Sequence, residues 1–333
     1  MNHCDIRTIG IPRALLWYKY GRHWQTFFEL LDFKVIVSEP TDKAIFDEGE
    51  RRSSDEVCLA SKAYLGHVAQ LIGKCDAIFV PNHDSCDIRA GFCTKYQSLP
   101  DMVAATFRDD HPRILTLRIE RAMDRKRTRK AYIDFAVHEL GASPRAAHSA
   151  YRKSIAFMRA MDKKTSNHQE ETFKLLETYK DVLEKDDSAK EAPPLTILLV
   201  GHPYVVHDDY IVGDIVRAIE DMNAVVIYAD ESDHSSSFKR SFEFSETLPW
   251  IINRELVGSI LNNLHRIDGI VLLSAFPCGP DSMFDDAIMR KIKDVPILNL
   301  MIDSQSGEAG VQTRLESFID ILRFQRKGSY LAG

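Results

Sequence analysis

The chain has 333 residues, 44% of them apolar and only 9% aromatic, which is material for two hydrophobic cores at the usual ~100–200 residues per domain. Its 43 Lys and Arg against 49 Asp and Glu give −6 at pH 7, so no global positive field draws it onto nucleic acid or an anionic membrane. No run approaches the ~20 apolar residues of a membrane span. The opening MNHCDIRTIG has no apolar stretch ahead of its first charges, and six cysteines are too sparse for a disulfide scaffold, so a cytoplasmic protein with reduced thiols is expected.

The chain opens as a β-α-β unit. Ile6 to Ile11 reads as a strand, Arg13 to Leu31 carries helical spacing with Pro12 at its start, and Phe33 to Val37 is a second strand. A polar loop is expected from Thr41 to Asp55, then a helix over Cys58 to Ile72 and strands at Asp76 to Pro81 and Arg113 to Leu117. From 122 to 185 no strand signal appears and Ile133, Val137, Leu140, Ile155, Met158, Phe173 and Leu176 recur at helical distances. Residues 186–194 combine charge with paired prolines and read as a linker. A second α/β series runs from 195 to 333, with strands at Thr196 to Gly201, Ala224 to Tyr228, Gly269 to Leu273 and Pro296 to Leu300. It also has helices over Tyr210 to Met222, before His265, around Asp285 to Lys293 and from Gln312 to Phe324, and a polar loop through Ser235 to Ser237. The expected fold is α/β, with two Rossmann-like, flavodoxin-like parallel-sheet domains, 1–121 and 195–333, joined by a helical segment and facing each other across a cleft.

Ligands of open parallel sheets bind outside the carboxyl ends of the strands, so the residues after each strand are the ones to inspect. Cys278 follows the strand ending at Leu273, Cys93 lies after the strand ending at Pro81, and Cys58 opens a helix with Lys62 one turn along. Helix N-termini and nearby cations both favour thiolate, the metal-binding form of cysteine. Cys4 and Cys75 read as blander thiols, and Cys86, seven residues before Cys93, stays open. His202, just after a strand, is the better acid-base candidate, whereas His67 reads as a packed histidine. Arg121 to Lys130 is a basic run that reads as a solvated helix face; docking of ligand phosphates or of an acidic partner is the other reading. The chain has neither G-x-x-x-x-G-K-[ST] nor G-x-G-x-x-G, so the usual phosphate cradles are missing. Without C-x-x-C or a ferredoxin-like run, spacing alone leaves structural thiols and metal ligands both open.

A more specific signal surrounds the cysteines. Ile9-Gly10-Ile11-Pro12-Arg13-Ala14-Leu15, Glu56-Val57-Cys58 with Lys62 and Gly66-His67-Val68, and Cys93 to Gln97 with Leu99-Pro100-Asp101-Met102-Val103 come first. Gly201-His202-Pro203-Tyr204, Phe276-Pro277-Cys278-Gly279-Pro280-Asp281-Ser282, and Asp303 with Ser306-Gly307-Glu308-Ala309-Gly310 and Thr313 to Phe318 follow in order. Together they resemble the activase-related family of the 2-hydroxyacyl-CoA dehydratase and benzoyl-CoA reductase superfamily, which includes double-cubane cluster proteins. Ala60 and Thr94 stand where that family usually has proline, which loosens the expected stiffness around the first two cysteines.

The resemblance implies an oxygen-sensitive iron-sulfur cluster, a 4Fe-4S or double cubane, held by Cys58, Cys93 and Cys278; Asp281 and Ser282, by their adjacency to Cys278 alone, are expected to bond its sulfurs. It implies a homodimer or heterodimer that takes low-potential electrons from a separate ATP-dependent activase with its own cluster. Those electrons would serve radical dehydration or reduction of a small or acyl-CoA substrate. Arg314 and Glu316, two apart on the last helix, point in different directions, and a structural role is expected for Glu316. The alternative is a cluster-free, two-domain binding or scaffold protein that assists an activase.

Overall fold

The computed structural model describes residues 6–84, 91–184, 193–303 and 308–331. The chain divides into two compact units, Met1–Met161 with Thr247–Ile252, and Asp162–Glu246 with Asn253–Gly333. Each is an α/β unit built on a parallel sheet.

The first unit contains β1 (Thr8–Ile11), α1 (Trp17–Glu29), β2 (Lys34–Val37), α2 (Lys43–Arg52), α3 (Leu59–Leu71), β3 (Ala77–Phe79) and β4 (Asn82–His83). Next come α4 (Thr94–Gln97), α5 (Leu99–Thr106), β5 (Ile114–Leu115), β6 (Arg118–Ile119) and α6 (Arg125–His138), and then the long α7 (Pro144–Glu184), which begins here. Its sheet has the order β2-β1-β3-β5, all parallel, and β4 pairs with β6 in parallel just beyond β3 and β5. The helix expected from Arg13 starts four residues later, because the chain first turns through Leu15 at φ 52°. Where a polar loop is expected from Thr41 to Asp55, α2 forms instead. Asp42 caps it by accepting from the backbone N–H of Ile45 at 2.8 Å, and Ile45, Phe46 and Gly49 give it a buried face. A Cβ on Gly49 would stand 1.9 Å from the carbonyl oxygen of Lys62, and one on Gly66 1.9 Å from that of Ile45, so α2 and α3 cross backbone to backbone.

The second unit contains β7 (Leu195–Val200), α8 (Pro203–Val206), α9 (Asp209–Asp221), β8 (Ala224–Tyr228), α10 (His234–Phe244) and, from Asn253 on, α11 (Ile251–Asn263). It continues with β9 (Gly269–Ala275), α12 (Gly279–Lys291), β10 (Ile297–Ile302) and α13 (Glu308–Leu331). The order is β10-β9-β7-β8, again all parallel. Both units thus order their sheet as second, first, third and last strand. β7 and β9 are buried at every position, as central strands covered on both faces must be, and each Leu or Ile there contributes about 1.5–3 kcal/mol. Ser235 to Ser237, expected in a loop, open α10, where Asp233 caps by accepting from the Ser236 N–H at 2.6 Å.

The division between the units falls within α7, after Met161; of the 186–194 stretch read as a linker, 186–192 lie outside the described residues. The reason is side-chain anchoring. Tyr151, early in α7, packs its ring 5.7 Å from His23 and 5.2 Å from Tyr132 of the first unit. Later in α7, Glu170 and Glu177 each accept from Arg266 at 2.7 Å, whose guanidinium lies 4.2 Å over Phe173. Lys180 donates to Asp268 at 2.9 Å in the same unit. Among the described residues no helix is long and apolar enough to cross a membrane.

Candidate functional site

In a sheet of this order, the strand sequence reverses between β1 and β3 in the first unit and between β7 and β9 in the second, and the crevice beyond those carboxyl ends is the usual ligand position. The second unit places chemistry there. His202 follows β7 and precedes α8; Cys278 follows β9, after a cis Phe276–Pro277 peptide, and precedes α12. Asp281, in the first turn of α12, joins them. Nδ1 of His202 donates to its carboxylate at 2.9 Å, Nδ2 of Asn253 donates at 3.1 Å, and the Cys278 thiol donates as well. His202 and Asp281 are 6% and 3% exposed. Burial alone would raise the Asp281 carboxyl, but the charge and hydrogen bond of His202, with Asn253 and Cys278, overcome it and hold the group below the usual carboxylate range.

One turn further, Asp285 is 5% exposed and behaves oppositely. Burial first, and the neighbouring Asp281 charge second, push it up to about 7, and Oδ2 has no hydrogen-bond partner among the described residues. Two carboxylates four residues apart on one buried face repel if both are charged, so the better-bonded one ionises and the other keeps its proton. Sequence reading passed over Asp285. The signal was there in the buried spacing Asp281, Phe284, Asp285 and Ile288, which puts the acid on the packed face of α12.

In the first unit, Cys58 is the N-cap of α3 and Cys93 the N-cap of the single-turn α4, as Cys278 is of α12. All three side chains are partly exposed, and none caps its helix with its thiol. Cys58 Sγ lies 3.2 Å from the Ser61 hydroxyl. Lys62, expected to serve Cys58, is buried and turned to Glu50, 3.4 Å away.

The remaining candidates are structural. His67 is fully buried between Ser38 (2.9 Å to Nδ1) and Thr41 (3.0 Å to Nε2), and burial drops it to about 4. Cys75 donates to the Leu71 carbonyl and packs where a Cβ on Gly10 would stand, 2.6 Å from Sγ. Cys4 and Cys86 lie outside the described residues. In the basic run, Arg125 to Lys130 begin α6, with Asp124 as cap, and the cationic side chains are exposed. Ser282 donates to the Cys278 carbonyl at 2.8 Å, so it serves the helix start. Arg314 donates to the Asn299 carbonyl in β10, and Glu316 accepts from Gln312.

The donor chemistry of three cysteines at helix starts suits a soft, thiolate-bound iron group. Among the described residues no three His, Cys, Asp or Glu gather in a metal-holding group. A family model described as a CoA enzyme activase uncharacterised domain matches residues 8–231, roughly two thirds of the chain. Cys58, Cys93 and His202 lie inside the match, Cys278 and Asp281 beyond it. No curated protein matches the chain.

Proposed function

The chain belongs to this CoA enzyme activase family, and on that premise we propose that it is an iron-sulfur component accepting low-potential electrons from a separate ATP-dependent activase. Those electrons serve the dehydration or reduction of a small or acyl-CoA substrate. The observation that carries the reading is shared by Cys58, Cys93 and Cys278. Each is the N-cap of a helix, is partly exposed as a residue, and does not spend its thiol on capping that helix.

These three residues would hold the cluster, which when bound supplies one-electron transfer. Around Cys278, Asp281 accepts a hydrogen bond from the thiol while that residue is unmetallated and positions His202, whose Nδ1–H it fixes. His202 then presents Nε2 as the atom able to take or give a proton. The missing phosphate loops support a separate ATPase as the electron source. A dimer, through a second copy or a related subunit, belongs to the same proposal.

A second reading is a cluster-free binding or scaffold protein that assists an activase. It is favoured by local partners that the thiols already have, such as Ser61 for Cys58 and Asp281 for Cys278. Anaerobic reconstitution with iron and sulfide separates the two. The first reading expects a brown protein whose absorption bleaches in air; a colourless protein after reconstitution supports the second.

A further inference from the structure

The second unit holds more ionisable chemistry than ligation by Cys278 requires. Asp281 and Asp285 lie one helical turn apart on the buried face of α12, yet their surroundings differ sharply. Asp281 receives hydrogen bonds from His202 of the β7–α8 turn, Asn253 of α11 and Cys278 ahead of α12. Asp285 has the Ser274 hydroxyl of β9 beside it and an Oδ2 that no described residue bonds. Asn253, with no exposed surface, likewise leaves Oδ1 unpartnered. These atoms lie by the carboxyl end of β9, next to the switch point with β7.

We propose that Asp285 is a resident proton donor: a buried carboxyl with an unbonded oxygen beside the fixed Asp281–His202 pair, which gives its proton to an anionic enolate or alkoxide oxygen of a small molecule bound at the carboxyl edge of β7 and β9. In that step the Asp285 O–H bond breaks, the new O–H bond forms on the ligand oxygen, and Asp285 is left as carboxylate until solvent returns a proton. Pairs of acids whose environments drive them to opposite protonation states are how one site keeps a charge and a donor together. The groups facing Asp285 that set this balance are Asp281 on its own helix and His202 from the β7–α8 turn; the first opposes ionisation and the second favours it. A buried acid that an asparagine could replace without the burden of charge is a poor structural choice, which points to use. This inference extends the proposed function but does not need the cluster.

The test uses the full chain without metal. A carbodiimide reacts only with a protonated carboxyl that it can reach, so N,N′-dicyclohexylcarbodiimide should label Asp285 at about pH 5.5 and lose most of that labelling at about pH 8.5. The site is read by peptide mass, with Asp285→Asn as the blank. In parallel, carboxyl carbon-13 resonances of labelled aspartate should show one group, absent in Asp285→Asn, titrating near neutrality. Titration in the ordinary carboxylate range overturns the proposal. So does a near-neutral titration without labelling, because an acid that no small molecule reaches is not a donor. Iron content after reconstitution should be unchanged in Asp285→Asn; loss of iron uptake in wild type with labelling intact would fault the cluster reading and leave this one standing.

Discussion

The Asp281 carboxylate accepts a hydrogen bond from Nδ1 of His202 at 2.9 Å, tying the turn after β7 to the first turn of the helix after β9. The two residues are 79 positions apart in sequence, and the parallel pairing of β7 with β9 is what brings them together. Because Asp281 also receives Asn253 and Cys278, it is the centre of the second unit's polar cluster.

Replacing Asp281 should therefore be costly. Asp281→Asn leaves His202 without its anion and is expected to lower stability by about 3 kcal/mol at neutral pH. The folded carboxyl is depressed, so its contribution is present above the ordinary carboxylate range and is lost as pH falls through the folded value. Urea unfolding at neutral and at acid pH checks this: the gap between variant and wild type should narrow on acidification.

Asp285 has the opposite sign. Its folded value lies near 7, above the ordinary 3.8, so the folded chain holds a proton that the unfolded chain has released between those values. Stability from this group falls as pH rises across that window and is level above it. Asp285→Asn removes the slope and should stabilise the protein on the alkaline side, by up to a few kcal/mol at about 1.4 kcal/mol per pH unit. Melting curves across the window would show it as a variant whose advantage grows with pH.

Three buried histidines make the first unit acid-sensitive. Burial lowers His23 and His67 to about 4 and His83 to about 3, so the unfolded chain takes up protons first. Stability should fall as pH drops below 6.5 toward those values, and His67→Gln should flatten part of that slope while costing some stability at neutral pH. Intrinsic fluorescence of Trp24, buried in this unit, reports the transition.

Gly66→Ala tests how α3, and with it Cys58, is positioned. The added Cβ would meet the Ile45 carbonyl at 1.9 Å, which forces α2 and α3 apart. The expected cost is about 3 kcal/mol, measured as a lowered Tm.

The parallel sheets were legible because Leu195–Val200 and Gly269–Ala275 are apolar runs bounded by turn residues, the pattern of a strand covered on both faces. The helix start at Cys58 was legible too, since a polar stretch gives way there to helical spacing, whereas α12 begins at Gly279, ahead of the helix expected around Asp285, and Cys278 reads from sequence only as a residue after a strand. α2 was hidden because Asp47, Glu48, Glu50, Arg51 and Arg52 give it a loop-like composition, while its few buried residues lie on one face. The division within α7 was hidden for another reason. It depends on Arg266 and Asp268, roughly 90 residues from the glutamates and lysine they hold, and no local pattern records such pairings. Asp285 reads from sequence as one more surface charge, and only the face it occupies distinguishes it.

The most direct measurement is iron and acid-labile sulfide per chain after anaerobic reconstitution, compared between wild type and Cys58→Ala, Cys93→Ala and Cys278→Ala. Ligation by the three cysteines predicts iron and sulfide in equal amounts in the wild type and a marked loss in each variant, with melting temperatures of the metal-free proteins little changed. A wild type that takes up neither, or a Cys278→Ala chain that keeps the full complement, would contradict it.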